Sequence, residues 1–271
     1  MYDLSDDDFK RLYTYMQEKF GIDLRKKKPL IVSRLSSILE KSGYGEFHSY
    51  VNDILSKENQ DMLTTLLNKL TTNYTYFMRE ESHFDYLEKV VLPELAKKHE
   101  KDKVLSIWSA GCSSGEEPYN ISMYLLEFFG KLPGKWDTRM LATDISHNVL
   151  NKAINPSYPA ESLEKLPNAW KNKYFIQQKD ESYTVSKELR DNVIFRPFNL
   201  MEPIHFKRNF DLIFCRNVMI YFDQVTKDAL VKRFYDATYP GGYLFIGHSE
   251  GLTKQSCPYK YIKPAIYRRE E

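Results

Sequence analysis

Apolar residues recur at three-and-four spacing from Asp6 onward: Phe9, Leu12, Tyr13, Met16 and Phe20 share one helical face, and after Pro29 the set Ile31, Leu35, Ile38 and Leu39 repeats it. Further helical segments are predicted around Phe47–Leu55 and Met62–Leu70. No alternation of period two interrupts this stretch as far as Lys69, so the beginning of the chain is predicted to be a small helical bundle. The pattern changes at TTNYTYFMRE, Thr71 to Glu80, which is polar and aromatic and leads into an amphipathic helix over Phe84–His99 carrying Tyr86, Leu87, Val90 and Leu95.

After the charged link EKDK comes an apolar run of strand length, VLSIWSAG, Val104 to Gly111. From there strands and helices alternate, as a parallel sheet covered on both faces requires. A helix over Glu116–Phe129 follows the first strand, and RMLATDI, Arg139 to Ile145, is the second strand, opening a helix through Asn148, Val149 and Leu150. Residues 157–193 break the rhythm with YPAESLEKLP and YFIQQKDESYTV, a short helix followed by a hairpin, and are predicted to be an insertion. NVIFRPFNL resumes the sheet, FDLIFCRN is a fourth strand, Gln224–Tyr239 is a helix, the GG of PGGYLFIGHSE starts another strand, and YKYIKPAIYRR supplies a final edge strand. The fold class is therefore α/β, a Rossmann-like domain with a mostly parallel sheet over 76–271, preceded by a small all-helical domain over 1–75 and carrying an inserted β-subdomain at 157–193.

Composition narrows the field. With 42% hydrophobic and 28% charged residues in 271, the chain is globular. No run of about 20 apolar residues exists to span a membrane, and MYDLSDDDFKRLY is acidic where a signal peptide is basic and then apolar, so a cytoplasmic location without membrane insertion is expected. Cys112, Cys215 and Cys257 form no CxxC or Cys/His spacing, so neither a disulfide scaffold nor a metal site is expected. A net charge of +2 does not imply nucleic acid. Arg25, Lys26, Lys27 and Lys28 are a local basic cluster, open to reading as a solvated helix end or as a docking surface.

Candidate chemistry concentrates at SAGCSSGEEPY, where a buried strand runs into small residues and then a helix with an acidic first turn. Gly111 and Gly115 let the backbone bend and a ligand approach it. The run is neither the GxGxxG fingerprint nor a P-loop, which would end in GK[ST]. One of Glu116 and Glu117 is accounted for by the helix dipole, but two carboxylates do not suit a phosphate. S-adenosylmethionine, with an ammonium, a sulfonium and no phosphate, suits the place better. Asp144, ending the second strand, fits ribose hydroxyls or an N-cap. Arg216 and Asn217 directly follow the apolar strand FDLIFC, where the carboxyl ends of the strands face a ligand crevice. Arg216 as a surface ion pair and Tyr221 as a core aromatic are the plainer readings, but neither explains why both groups follow one buried strand so closely.

The combination TNYTYFMRE, WSAGCSSGEEPYNISM, LATDIS, RPFNL, FCRNVMIYFD and GGYLFIGHSE, in that order and over nearly the whole chain, resembles the CheR family of chemotaxis receptor methyltransferases. The resemblance implies S-adenosylmethionine-dependent methylation of glutamate side chains on the cytoplasmic helices of chemoreceptors. It places Asn73, Thr75 and Arg79 at the cofactor or the methyl-transfer site and Glu117 on the methionine amino group. It also puts Asp144 on the ribose, Asn199 and Leu200 beside the adenosine, and Arg216 and Asn217 at the rest of the pocket. Arg79 and Tyr221 would stand near the reacting centre. Receptor helices are rich in carboxylates, so Arg25, Lys26, Lys27, Lys28 and Arg34 would form the substrate-docking face. Some relatives dock a receptor C-terminal pentapeptide with a glycine-containing loop of the inserted subdomain; QQKDESY has no glycine, and tethering through that peptide is not expected. Alternatives are a methyltransferase for another acceptor and a non-catalytic S-adenosylmethionine sensor. His248 in GHSE is expected to be structural, because a carboxylate acceptor is already ionised and needs no base.

Overall fold

A computed structural model describes residues 2–57, 60–71 and 73–270. Glu58, Asn59 and Thr72, which fall in the stretches predicted to be helical and linking, lie outside the described residues. The chain divides into two compact units, Met1–Asn73 with Ile220–Lys227, and Tyr74–Met219 with Asp228–Glu271.

The first unit holds α1 (Asp6–Phe20), α2 (Lys28–Ser42), α3 (Phe47–Lys57) and α4 (Gln60–Leu70), with α1 against α3 and α2 against α4. Ser5 caps α1 by accepting from the Asp8 N–H at 3.1 Å, and Gly21, at φ 70°, ends it in the left-handed conformation that glycine adopts without a Cβ penalty. Pro29 stands in the first turn of α2, where its missing N–H costs nothing. Leu12, Met16, Ile31, Leu35, Val51, Ile54 and Leu66 are fully buried, so the three-and-four spacing marks the packed faces. The Ile220–Lys227 segment is tied to the same unit: Ile22 bridges Phe222, the Asp23 N–H donates to the Tyr221 carbonyl at 2.8 Å, and Gln17 donates to Asp223 at 2.5 Å.

The second unit opens with α5 (Glu81–Tyr86), a π-helical turn (Leu87–Val91) and α6 (Leu92–Lys98), where the sequence predicts one uninterrupted helix. Pro93 explains the difference. It has no N–H for the carbonyl four residues back and its ring crowds that carbonyl, and the Leu92 N–H reaches instead to Leu87, widening the turn. There follow β1 (Ile107–Ala110), α7 (Glu116–Phe129), β2 (Met140–Asp144) and α8 (His147–Ile154). The inserted region contributes a 3-10 turn (Ala160–Leu163), α9 (Asn168–Tyr174), the hairpin β3 (Phe175–Gln177) and β4 (Tyr183–Val185), and α10 (Lys187–Asp191). β5 (Val193–Pro197), β6 (Phe210–Cys215), a 3-10 turn (Met219–Tyr221), α11 (Gln224–Ala237), β7 (Thr238–Ile246), β8 (Lys260–Lys263) and β9 (Ile266–Arg268) complete the order.

The main sheet runs β5-β2-β1-β6-β7-β9-β8, parallel from β5 to β7 and antiparallel for β9 and β8, while β3 and β4 form a separate pair. The chain leaves β1 toward β2 and β5 and returns to β6 on the other side, and such a reversal opens a crevice outside the carboxyl ends of the central strands. Trp108 on β1, fully buried, gathers Phe198, Phe206, Phe210 and Phe234 within 5.7 Å between ring centres and fixes β1 against β6. Three details differ from the sequence reading. Val104 forms an isolated bridge with Asp137 instead of joining β1. β7 begins before the glycine pair, with its register shifting opposite Phe210 and Leu212. The expected single edge strand is a hairpin, turned at Pro264 and Ala265, the latter at φ 63°. No helix among the described residues is long and apolar enough to cross a membrane.

At the amino end of β6, fully buried Asp211 accepts from Lys98 at 2.8 Å, from the Ser106 N–H at 3.0 Å, and lies 2.9 Å from His99 Nε2. Removing the carboxylate strands its partners. Asp211→Ala is expected to lower unfolding free energy by about 3–5 kcal/mol in urea titration. A loss below about 1 kcal/mol would mean that Asp211 is not holding α6 to the sheet.

Candidate active site

The turn between β1 and α7 is set by backbone geometry. Gly111 has φ 88° and Gly115 φ 98°, and a Cβ on Gly111 would lie 2.3 Å from Val218 Cγ2, so the loops after β1 and β6 pack directly through the missing side chain. The N–H groups of Gly111 and Cys112 both donate to the Thr143 carbonyl, at 2.8 and 2.9 Å, which ties the turn to the end of β2.

The two acids of the following helix face different ways. Glu116 accepts from Ser114 Oγ at 2.7 Å and behaves as the dipole partner of the first turn. Glu117 is turned inward: Oε1 accepts from Ser109 Oγ on β1 at 2.7 Å, and Oε2 lies 3.4 Å from Arg216 Nε. Burial pushes both carboxyls above the ordinary range; Arg216 and Ser109 pull Glu117 partly back. At the end of β2, Asp144 Oδ2 accepts from the Ser113 N–H and Oδ1 from the Ser146 N–H, each at 2.9 Å. The N-cap of α8 is Ser146, whose Oγ accepts from Val149, so the capping role does not fall to Asp144. Burial raises Asp144 as well, against those backbone donors.

Arg216 is no surface ion pair. Its side chain is 2% exposed, lies over Phe84 at 5.6 Å and stands 3.4 Å from both Glu117 and Glu80. It also donates to the Arg79 carbonyl. Arg79 sits in a turn flanked by Met78 at φ 60° and Glu80 at φ 56°, left-handed positions that side chains other than glycine adopt at a cost of about 1–3 kcal/mol. The turn is held from several sides: Asn120 Oδ1 accepts from the Met78 N–H at 2.9 Å, and Glu80 Oε1 accepts from the His248 N–H at 3.0 Å and from Asn217 Nδ2 at 3.5 Å. The Arg79 guanidinium, half-buried, donates to the Tyr74 carbonyl at 2.7 Å and lies 5.8 Å from the Tyr76 ring centre. Asn217, at φ 60°, gives its N–H to Glu250 Oε2 at 2.9 Å, and the Gly247 N–H shares that oxygen at 2.6 Å.

The structure thus joins Arg79, Gly111, Glu117, Asp144, Arg216 and Asn217 into one connected region. The Phe198 N–H donates to the Asp144 carbonyl at 3.1 Å, so Asn199 and Leu200 leave from the same strand end; Asn199 Oδ1 accepts from Met201 and the Leu200 carbonyl from Arg233. Thr75 is half-buried in the segment before the Arg79 turn. Asn73 and Tyr221 are counted with the first unit, Asn73 beside Asn68 and Tyr221 receiving the Asp23 N–H. Of the basic cluster, Arg25 pairs with Asp23 at 2.7 Å, Lys28 with Asp6 at 2.5 Å, and Arg34 donates to the Lys69 carbonyl at 2.8 Å; Lys26 and Lys27 are exposed. Residues not singled out from the sequence are Ser109, Asn120, Glu250 and above all Glu80, although FMRE and GHSE each place an acid beside a site residue.

Glu80, His83 and His248 bring one donor atom each within 4.8 Å of one another, a spacing compatible with a metal ion. A guanidinium already faces the same carboxylate, however, and a second cation there would be repelled. His83 is buried and held neutral, its pKa pushed down to about 2 by burial and then by Arg216. The group is an ion pair beside two imidazoles. As a donor set, the carboxylates of Glu117, in the first turn of α7, and Asp144, at the end of β2, fit an ammonium and a pair of hydroxyls, which is what the amino-acid and ribose parts of S-adenosylmethionine present.

Residues 73–267 match the family model described as CheR methyltransferase, SAM binding domain, and residues 7–71 the one described as CheR methyltransferase, all-alpha domain. The chain is 42% identical over 270 residues to a chemotaxis protein methyltransferase of Borreliella burgdorferi, covering 98% of this chain and 95% of that one. It is 37% identical to chemotaxis protein methyltransferase 2 of Vibrio cholerae, over 93% of this chain and 88% of that one. With the chemotaxis protein methyltransferase of Escherichia coli it shares 36% identity, over 92% of this chain and 86% of that one.

Because burial raises the Glu117 carboxyl, the free protein takes up a proton there at higher pH than an ordinary glutamate, and only the carboxylate attracts an ammonium. Affinity for S-adenosylhomocysteine is expected to fall on acidification before the usual carboxylate range is reached. In Glu117→Gln, affinity should be lower at neutral pH and this acid-side decline smaller, with Asp144 responsible for what is left. Calorimetric titration across pH decides it: an unchanged profile in the variant would remove Glu117 from the amino-group role.

Proposed function

We propose, from the premise that this chain belongs to the CheR methyltransferase family, that it methylates glutamate side chains on the cytoplasmic helices of chemoreceptors. The products are glutamate 5-O-methyl esters and S-adenosylhomocysteine. The chain is an S-adenosylmethionine-dependent methyltransferase, and when bound, that group supplies an electrophilic methyl on a sulfonium. The observation that carries the reading to a carboxylate acceptor is Arg79: a half-buried guanidinium on a rigid, multiply anchored turn next to the donor site.

The residues divide the work. Glu117 takes the amino group, Asp144 the ribose hydroxyls, Asn199 and Leu200 flank the adenosine, and Gly111, Arg216 and Asn217 shape the remaining wall. Asn73, Thr75 and Tyr221 are assigned by their motifs, the first two to the donor and Tyr221 to the reacting centre. Arg79 orients the acceptor carboxylate as a planar pair of donors, and its constraint by the turn lowers the entropy cost of in-line approach. No general base is required, since a carboxylate with an ordinary pKa of about 4.3 is already ionised near neutrality. The nearby histidines fit that economy: His83 is far too weak a base to take a proton in this pH range.

The receptor is proposed to dock on the basic end of α2. Arg25, Lys26, Lys27 and Lys28 crowd the positive pole of that helix, whose first turn has no acid, so the local field favours an acidic helix surface. Arg34 lies one turn further on. In the β3–β4 hairpin the turn has Glu181 at φ 64°, where a glycine would leave the backbone open, so the enzyme is proposed to act at cytoplasmic receptor arrays without the pentapeptide tether.

Incubation with labelled S-adenosylmethionine and receptor-bearing membranes should give label on receptor glutamates that mild alkali releases. Arg79→Ala should lower this transfer roughly a hundredfold, more than it lowers donor affinity. Label that resists alkali, or appears on another class of acceptor, would overturn the ester assignment. Reversing charge in Lys26→Glu/Lys27→Glu should raise KM for receptor several-fold and leave S-adenosylhomocysteine binding intact; loss of that binding would show the cluster to be structural.

A further inference from the structure

Arg216 is the only cation drawn between two carboxylates of the donor region among the described residues there, and the charges do not cancel: Glu80 and Glu117 each lie 3.4 Å from its Nε, and the three side chains are 13%, 13% and 2% exposed. Two carboxylates against one guanidinium leave one negative charge in a place that water screens poorly. Arg79 offsets part of it, but its guanidinium is turned to the Tyr74 carbonyl and the face of Tyr76, and it acts on Glu117 less than Arg216 and Glu80 do.

We infer that Glu80 is a positioning residue for the methyl donor: by sharing Arg216 it keeps Glu117 from forming a closed pair with that arginine, and so leaves Glu117 to the donor's ammonium. The inference rests on the reading that Glu117 takes the amino group. Glu80 need not touch the ligand. Its Oε1 is occupied by the His248 N–H and Asn217, and its Oε2 faces Arg216, with His83 Nδ1 also 3.4 Å away. The geometry of Arg216 agrees: Nε and Nη1 are buried without a formal hydrogen-bond partner, so the guanidinium is held between the two acids without being locked onto either. Were Glu80 neutral, Arg216 would swing wholly to Glu117, and the donor's ammonium would meet a carboxylate already satisfied. The same residue lies next to Arg79 in the chain and fixes the turn that carries it, so the charge that readies the donor site is mechanically linked to the group that receives the acceptor.

The test compares ligands that differ in the ammonium. Full-length wild type, Glu80→Gln, Glu80→Asp and Glu117→Gln are titrated calorimetrically with S-adenosylhomocysteine, which carries the amino acid, and with 5′-methylthioadenosine, which lacks it. Glu80→Gln should weaken S-adenosylhomocysteine roughly tenfold and methylthioadenosine less than about twofold. Glu80→Asp keeps the charge but withdraws it by one methylene, and should reduce the affinity ratio of the two ligands a few-fold. Equal weakening of both ligands in Glu80→Gln would mean a structural role and overturn the inference, as would an unchanged ratio. If Glu117→Gln shifts the ratio and Glu80→Gln does not, the inference alone fails; if neither shifts it, the assignment of Glu117 fails first. Should Glu80→Gln not fold, Glu80→Asp decides, an unchanged ratio there overturning the inference.

Discussion

A guanidinium buried to 2% exposure cannot stand without counter-charge, and the arrangement of the second unit around its donor region follows from meeting that demand. Arg216 leaves the end of β6 and is met by Glu117 from the start of α7 and by Glu80 from the turn before α5. Each of those acids needs its own backbone to arrive at the right place. Glu117 gets there because Gly111 and Gly115 turn the chain sharply after β1, and Glu80 because it accepts a left-handed conformation itself. Asn120, Asn217 and Glu250 then hold the turns whose strain would otherwise relax.

Much of this was legible in the pattern of residues, and the exceptions have identifiable causes. The alternation of buried strand and amphipathic helix places β1, β2, β5 and β6 within a few residues of their positions, because parallel strands covered on both faces must be apolar almost throughout. The interruption of the helix at Leu87–Val91 was signalled by Pro93, yet apolar spacing alone runs straight through it, since a π turn changes the angular phase without changing composition. The start of β7 was hidden because Pro240, Gly241 and Gly242 look like a turn; here a register shift absorbs them within the strand. At the site, residue spacing alone identified the strand-end residues but did not separate Glu116 from Glu117, as both gain from the helix dipole, and only the family resemblance pointed to Glu117. In the structure the two side chains part: one reaches back to Ser114, the other across to β1 and β6. Glu80 stayed hidden because its importance lies in contacts with residues more than a hundred positions away, which no local spacing encodes.

The histidines illustrate how environment assigns a role that residue type does not. His83 is buried, neutral and pressed against the rings of His248 and Phe245, at 4.7 and 5.4 Å. An imidazole so placed serves as a polar aromatic wall and cannot act as a proton acceptor near neutral pH. A reaction whose nucleophile arrives already charged is compatible with such a wall, whereas an alcohol or amine acceptor would ask the same region for a base.

A donor with a positive sulfonium and an acceptor with a negative carboxylate pose opposite electrostatic demands a few ångströms apart, and the region answers them with different degrees of burial. The negative charge shared by Glu80, Glu117 and Arg216 is deep, where it acts strongly and is fixed before any ligand arrives. The positive charge of Arg79 is nearer the surface, on a turn held from several sides, where the proposed acceptor side chain would meet it. On the proposed assignment, exposure would also keep Arg79 from binding the acceptor so tightly that its oxygen ceased to be a nucleophile, because water would compete for the guanidinium until transfer began. Exchanging the two burials would reverse both advantages: a deep arginine would quench the acceptor, and a shallow carboxylate pair would bind the donor weakly.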